Sequence, residues 1–235
     1  MVKEWTSEGA EQVDTPMLGA VNKENAAAAQ LVAEALGIAA DKIQAGINKV
    51  ENVPGRMEWV REQGKPAVLI DYAVTPDALA RLYDSVRKET KGKIYAVLGA
   101  CGLRDRGKRP LMARVVAERA DELVLTREDP WTEDEEQIFN DLEKGLTMTT
   151  ASPTRGEITS DHTPCVTTSD HVPCAAWRRI ADRREAIKYC ISQAGEQDVV
   201  VVTGKGAETG MAIGKEIVPW NEKKVVQELL KEKQI

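Results

Sequence analysis

Ala67-Val68-Leu69-Ile70-Asp71-Tyr72-Ala73-Val74-Thr75-Pro76 is the stretch on which the fold turns. Four consecutive apolar residues between Pro66 and Asp71 are the pattern of a short strand covered on both faces. The period then changes. Thr75 can cap a helix with Pro76 at its first position, and Leu79, Leu82, Tyr83 and Val86 share one face of it. The alternation continues downstream. Ile94 to Leu98 reads as a second strand, followed by a helix around Leu111 to Arg119, and Glu122 to Leu125 as a third strand. Thr132 and Glu135 are spaced as a capping box for a helix carrying Ile138, Phe139 and Leu142. Asp182 and Glu185 have the same spacing, before a helix that ends at Gly195. Val199 to Val202 is a fourth apolar strand, and Asn221 can cap a last helix through Leu230. Strands alternating with helices predict an α/β fold. The expected architecture is a mostly parallel, Rossmann-like sheet of about six strands. Helices should cover both faces through right-handed crossovers.

Upstream, Asn25 to Leu36 is an alanine-rich helical run closed by Gly37, and a second helix from Asp41 would place Ile43, Ile47 and Val50 on one face. Asn52-Val53-Pro54-Gly55 then breaks the pattern. The chain is thus expected to divide into a helical portion, residues 1–53, and a larger domain, residues 54–235. Inside that domain, residues 147–181 (Thr147 to Ala181) are rich in Thr, Ser, Pro and Asp and read as an inserted loop, too long for an ordinary connection. The loop holds His162, Cys165, His171 and Cys174, four residues of types that ligate zinc, spaced H-x2-C-x5-H-x2-C. The x5 gap is tighter than usual between ligand pairs. A tandem duplication would give the same pattern with no metal, so zinc and no zinc both stand.

With 42% hydrophobic and 30% charged residues, 235 residues can build a real core. A net charge of −6 argues against a broad nucleic-acid surface, whose affinity depends on neutralising phosphates. No run approaches the roughly 18 apolar residues of a membrane span, and no signal-peptide pattern opens the chain. A cytoplasmic location is expected, with Cys101, Cys165, Cys174 and Cys190 free or metal-bound rather than a disulfide framework.

In parallel sheets ligands sit beyond the carboxyl ends of the strands. Asp71 to Pro76, Gly99 to Arg109, Thr126 to Trp131 and Gly204 to Glu208 each follow a strand directly. The run Arg104, Asp105, Arg106, Lys108 and Arg109 is either a solvated charge run or an anion site. Gly99-Ala100-Cys101-Gly102 is not the dinucleotide fingerprint, which tells against a dehydrogenase.

Taken in order, these loops resemble those of the Mur ligases, of the UDP-N-acetylmuramyl-tripeptide synthetase type that adds an amino acid to a UDP-linked muramyl peptide. Pro54-Gly55-Arg56-Met57-Glu58 is similar to the family's P-G-R-M-E linker. The segment Asp71 to Leu79 resembles D-Y-A-H-T-P-D-A-L, and Arg104 to Met112 resembles R-D-K-G-K-R-P-L-M. Asp182 to Ile187 and Gly204-Lys205-Gly206 complete the set. Thr15 to Gly19 and Asn22 to Asn25 resemble the end of the family's central ATPase domain.

The resemblance implies an ATP- and Mg²⁺-dependent ligase of peptidoglycan and cell-wall biogenesis, and so of cell shape and division. An acyl phosphate would form on the muramyl peptide and be displaced by an incoming amine. By the same resemblance Arg104 would hold the amino acid's carboxylate. The specificity stretch falls on Glu128-Asp129-Pro130-Trp131, and Gly204 and Glu208 would complete the substrate contacts. Asp71 and either Asn22 or Asn25 would lie near the nucleotide.

Departures accompany the match. Val74 and Ala207 replace histidines, Leu103 an aspartate, Trp131 the arginine of the diaminopimelate type, and Ala100-Cys101 a Cys-Gly pair. No G-x-x-x-x-G-K-[ST] occurs, and the UDP-binding domain has no counterpart. The chain is therefore expected to be inactive alone, the P-loop coming from elsewhere, for instance a separate chain. The other reading is a non-catalytic module binding nucleotide or amino acid, stabilised by zinc if the loop holds it.

Overall fold

The computed structural model describes residues 13–17, 19–147 and 175–233. It divides into two compact units, the first ending at Glu58 and the second starting at Trp59.

The first unit contains α1 (Ala20–Ala35) and α2 (Ala40–Ile47). Val13, Ala26, Ala27, Ile43 and Ile47 pack as a small apolar cluster. Gly37 closes α1 at φ 77°, where the N–H groups of Gly37 and Ile38 reach back to the carbonyls of Glu34 and Ala33. Val50 is not on the buried face. Helix α2 ends at Ile47, so Val50 leaves the helical repeat and is exposed.

A six-stranded sheet in the order β1-β2-β6-β3-β4-β5 organises the second unit. Its strands are β1 (Glu58–Val60), β2 (Ala67–Asp71), β3 (Ile94–Leu98), β4 (Glu122–Leu125), β5 (Ala176–Arg179) and β6 (Val199–Thr203). All four pairings from β2 to β5 are parallel, with Ala67 opposite Val199, Ile94 opposite Val199 and Tyr95 opposite Glu122. The helices are α3 (Pro76–Glu89), α4 (Lys108–Ala117), α5 (Glu135–Thr147), α6 (Arg183–Gln193) and α7 (Glu222–Glu232).

Side chains alternate across the sheet with period two. Val68, Ile70, Val97, Val124, Val200 and Val202 meet Ala186, Ile187 and Cys190 of α6 and Val226, Leu229 and Leu230 of α7 on one face. The residues between them, Leu69, Ala96, Leu98, Leu123, Leu125 and Val201, are equally buried on the other face. There α4 packs on β4, and α3, α4 and α5 pack in series. A sheet covered on both sides explains the unbroken apolar runs from which the strands were read. Thr75 caps α3 as expected, its Oγ1 accepting from the Ala78 N–H at 3.3 Å. Asp182 caps α6 and Asn221 caps α7 in the same way.

The second unit departs from the sequence pattern at three places. The cap of α5 is not Thr132: the helix starts at Glu135, and the Asp134 carboxylate accepts from the Glu136 N–H at 3.1 Å. Glu135 is diverted to Arg127. The expected loop over 147–181 contains an edge strand, β5, paired with β4. Its residues Ala176, Trp177, Arg178 and Arg179 show no apolar run because an edge strand is only partly covered. Its arginines instead stack, Arg178 over Tyr189 and Arg179 over Phe139, at 4.1 and 3.8 Å from the ring centres. An antiparallel hairpin also went unread: β7 (Gly210–Ile213) and β8 (Glu216–Pro219), turning at Gly214 with φ 63°. His162, Cys165, His171 and Cys174 lie outside the described residues.

Candidate functional site

Because β2, β3, β4 and β6 run parallel, the loops after them emerge at one edge of the sheet. That edge gathers Asp71, Tyr72, Gly99, Cys101, Arg104, Glu128, Asp129, Trp131, Gly204, Lys205 and Glu208. Asn22 and Asn25 stand on α1 of the first unit, Asn22 buried and Asn25 exposed. Asn25 lines a shallow depression there with Glu24, Ala28, Leu31 and Val32.

Asp71 ends β2, and its carboxylate accepts from the Ala73 N–H at 2.8 Å, which turns the chain sharply away from the strand. At the end of β6 the backbone enters the left-handed region, Gly204 at φ 108° and Gly206 at φ 50°. Between them Lys205 is 1% exposed, and its ammonium donates to both oxygens of Asp129 at 2.8 Å and to Glu208. Asp129 also accepts from the Ala212 N–H, and Glu208 accepts from the Tyr72 hydroxyl at 3.0 Å. A continuous network thus links the ends of β2, β4 and β6 to the β7–β8 hairpin.

Glu128 lies beneath this network. It is 5% exposed, and burial pushes its carboxyl up to about 7, against the pull of Arg183, Lys205 and Lys108 and with the repulsion of Asp129. Arg183, fully buried, is held by Glu222 and by the carbonyls of Thr203 and Arg127.

The basic run after β3 is not one surface. Arg109 is fully buried and pairs bidentately with Glu133 at 2.8 Å and with Asp141 at 3.1 Å. Its hydrogen bonds draw the Glu133 carboxyl down to about 2. Arg106 joins Glu133, and Lys108 donates to the Val74 carbonyl. Arg104 is exposed and makes no hydrogen bond or ion pair among the described residues. Of the four basic residues in this run, Arg109 is a core clamp, and Arg104 alone engages no partner among the described residues.

Trp131 sits at φ 51° and Leu103 at φ 56°, both apolar, exposed and in the left-handed region. Non-glycine residues hold that conformation only where their surroundings impose it. Two hydrogen bonds with Ala212 and Gly214 impose it on Trp131. Next to both residues the two loops are pressed together: the Gly102 N–H donates to the Asp129 carbonyl at 2.7 Å, and a Cβ on Gly102 would stand 2.0 Å from the Pro130 oxygen. Arg127, the nearest arginine to Trp131 in sequence, is engaged with Glu135 and cannot stand in for a missing arginine.

Residues 55–206 match the family described as Mur ligase, glutamate ligase domain. The chain belongs to the Mur ligase family. Over 231 residues it is 36% identical to the UDP-N-acetylmuramoyl-L-alanyl-D-glutamate--2,6-diaminopimelate ligase of Alkalilimnicola ehrlichii, covering 98% of this chain and 41% of that one. The ligase of the same name from Geobacillus kaustophilus is also 36% identical, over 97% of this chain and 42% of its own length. A solved structure of a ligase with that name superposes with a TM-score of 0.63 at 33% identity, over 94% of this chain and 40% of the other. The pseudomurein peptide ligase type C of Methanothermus fervidus shares the fold at 18% identity, TM-score 0.56, over 91% and 36% of the two chains. The chain thus spans about two fifths of the length of these Mur ligase relatives.

Mur ligases as a family depend on ATP and Mg²⁺, and the residues described here do not by themselves fit that pair. No group of three His, Cys, Asp or Glu among them is placed to hold a metal ion, and the loop Gly204-Lys205-Gly206 turns its lysine inward to Asp129. No helix among the described residues is long and apolar enough to cross a membrane.

Proposed function

We propose that this chain is the amino-acid-binding part of a cytoplasmic peptidoglycan ligase, which joins an incoming amino acid to a UDP-N-acetylmuramyl peptide at the expense of ATP. Residues 54–235 act as the domain that receives the amino acid, and residues 1–53 as the closing helices of a central ATP-binding domain. Arg104 takes the amino acid's carboxylate, since a planar guanidinium matches a carboxylate bidentately. Glu128, Asp129, Pro130, Trp131, Gly204 and Glu208 form the rest of the amino-acid site. Asp71, with Asn22 or Asn25, lies near the nucleotide.

The observation that carries this reading is the unpaired Arg104 at an edge where Asp129, Lys205, Glu208 and Tyr72 are already tied together. A guanidinium left over in such a network is suited to an anion from outside. ATP and Mg²⁺ belong in this scheme to a P-loop that these 235 residues lack, supplied by another domain or a separate chain. Ligation is then a matter of positioning and charge neutralisation.

The test is phosphate release from ATP with UDP-muramyl dipeptide and a mixture of amino acids, with and without an added Mur central domain. Turnover should require the added domain and be lost in Arg104→Ala. Turnover by the isolated chain would overturn the division of labour. No turnover in either case, with amino acid still bound, would favour a non-catalytic binding module.

A further inference from the structure

We infer that the buried Glu128 carboxylate receives the α-ammonium group of the incoming amino acid and takes the proton that nitrogen must lose before it can attack. The inference rests on the amino-acid-binding reading above and adds to it the group that handles the amine.

Position comes first. Glu128 follows β4, and its side chain extends over the end of β6. A Cβ on Gly204 would stand 2.4 Å from Glu128 Oε2, and one on Gly99 would stand 2.7 Å from Glu128 Cβ. Two strand ends therefore carry glycine where this one side chain needs room. The carboxyl it admits accepts no hydrogen bond and forms no ion pair among the described residues.

The cations that face it are all committed elsewhere. Arg183 is held by Glu222 and the Thr203 carbonyl, Lys205 by Asp129 and Glu208, and Lys108 by the Val74 carbonyl. Asp129, the Tyr72 hydroxyl and the Cys101 thiol also act on it or feel it electrostatically, and Glu208 stands beyond Lys205 and Tyr72. The side chain is 5% exposed, but its oxygens are not among the fully buried atoms that lack a partner, so the carboxyl keeps access to solvent; desolvated titratable groups of this kind cluster where ligands bind. Cations near enough to be felt but already engaged leave the carboxylate without a direct contact, which a compact ammonium would supply.

Charge complementarity then fits a zwitterion. Arg104 and Glu128 both act electrostatically on Cys101, Arg104 drawing its thiol pKa down and Glu128 pushing it up. The two groups thus offer opposite charges around one side chain, Arg104 for a carboxylate and Glu128 for an ammonium. With the Glu128 carboxyl pushed up to about 7, it can both pair with the ammonium and accept a proton from it near neutral pH. In that step one N–H bond breaks and one O–H bond forms on Glu128. The lone pair stays on nitrogen and the proton afterwards passes to water.

The experiment is a carbon-13 NMR pH titration of the glutamate carboxyls in the full 235-residue chain, the Glu128 resonance being assigned by its loss in Glu128→Gln. It is run alone, with each standard L-amino acid or meso-diaminopimelate, and with the corresponding acid lacking the α-amino group. An amino acid that binds should lower the Glu128 midpoint by about one pH unit, the mark of a tenfold preference for the ionised carboxylate. The deaminated acid should leave the midpoint unmoved, while Glu128→Gln should bind the amino acid at least about tenfold more weakly. An amino acid that shifts the Glu133 or Glu208 carboxyl resonance, the first bonded to the Arg104 loop through the Leu103 N–H, without moving the Glu128 midpoint overturns the inference and spares the reading beneath it. If no compound shifts any resonance, the amino-acid reading falls and the inference with it.

Discussion

Lys205 Nζ lies 2.8 Å from each carboxylate oxygen of Asp129, and this pair joins the end of β6 to the loop after β4. The ammonium is 1% exposed and the carboxylate 15%. A buried pair of this kind adds little over an apolar substitute, but losing one partner strands the other. Lys205→Met should therefore cost about 3 kcal/mol in urea denaturation, since Asp129 keeps only the Ala212 N–H. Pairing it with Asp129→Leu should recover much of that loss. A single variant as stable as the parent would show the pair to be idle.

Glycine contacts give a sharper contrast. A methyl on Gly102 would meet the Pro130 carbonyl oxygen at 2.0 Å, whereas one on Gly107 would meet only the end of the Asp105 side chain at 3.2 Å. Gly102→Ala is expected to destabilise by about 3 kcal/mol and to loosen the Trp131 loop. Gly107→Ala, with φ −63°, should stay within about 0.5 kcal/mol. Thermal melts of the two variants check the order.

Two carboxyls should move stability with pH in opposite directions. Glu133 is held down to about 2 by hydrogen bonds from Arg109. Its folded value is below its unfolded one, so its contribution is full above about pH 4.5 and is lost as pH falls towards 2. Glu133→Gln should accordingly flatten the acid limb. Glu128, raised to about 7 by burial, has the reverse sign: the fold prefers its neutral form, and stability falls as pH rises from about 4.5 through 7. Glu128→Gln should match the parent at pH 4 and exceed it by roughly 1–3 kcal/mol at pH 8. Denaturation midpoints across that range decide both, and a parent-like Glu128→Gln at pH 8 would contradict the second.

Trp131 offers no charge where the diaminopimelate-type family motif has an arginine, and Arg127 is taken by Glu135. Meso-diaminopimelate should bind the chain no better than millimolar, and an amino acid with an uncharged distal end should bind better. Calorimetric titration with submillimolar affinity for diaminopimelate would show that another group holds its second carboxylate.

The sequence by itself determined the parallel sheet, because strands buried on both faces must be apolar without interruption, as in Ala67 to Ile70 and Val199 to Val202. It also fixed the caps at Thr75, Asp182 and Asn221, where a side chain bonds its own backbone three residues on. Edge strand β5 stayed hidden because its arginines are satisfied by rings and carboxylates distant in sequence, and the β7–β8 hairpin because its strands are half exposed. Which member of a basic run is core and which is open was likewise a tertiary decision. Arg104 and Arg109 differ in what stands opposite them: Glu133 takes Arg109, Arg106 and the Leu103 N–H, and Asp141 takes Arg109, but neither carboxylate pairs with Arg104. The same holds for Glu128: its type and place were legible, but its lack of a partner follows from where Glu222, Asp129 and Val74 hold the neighbouring cations. Local bonding is written in neighbouring residues, whereas long-range pairing depends on chain segments that meet only after the sheet has formed.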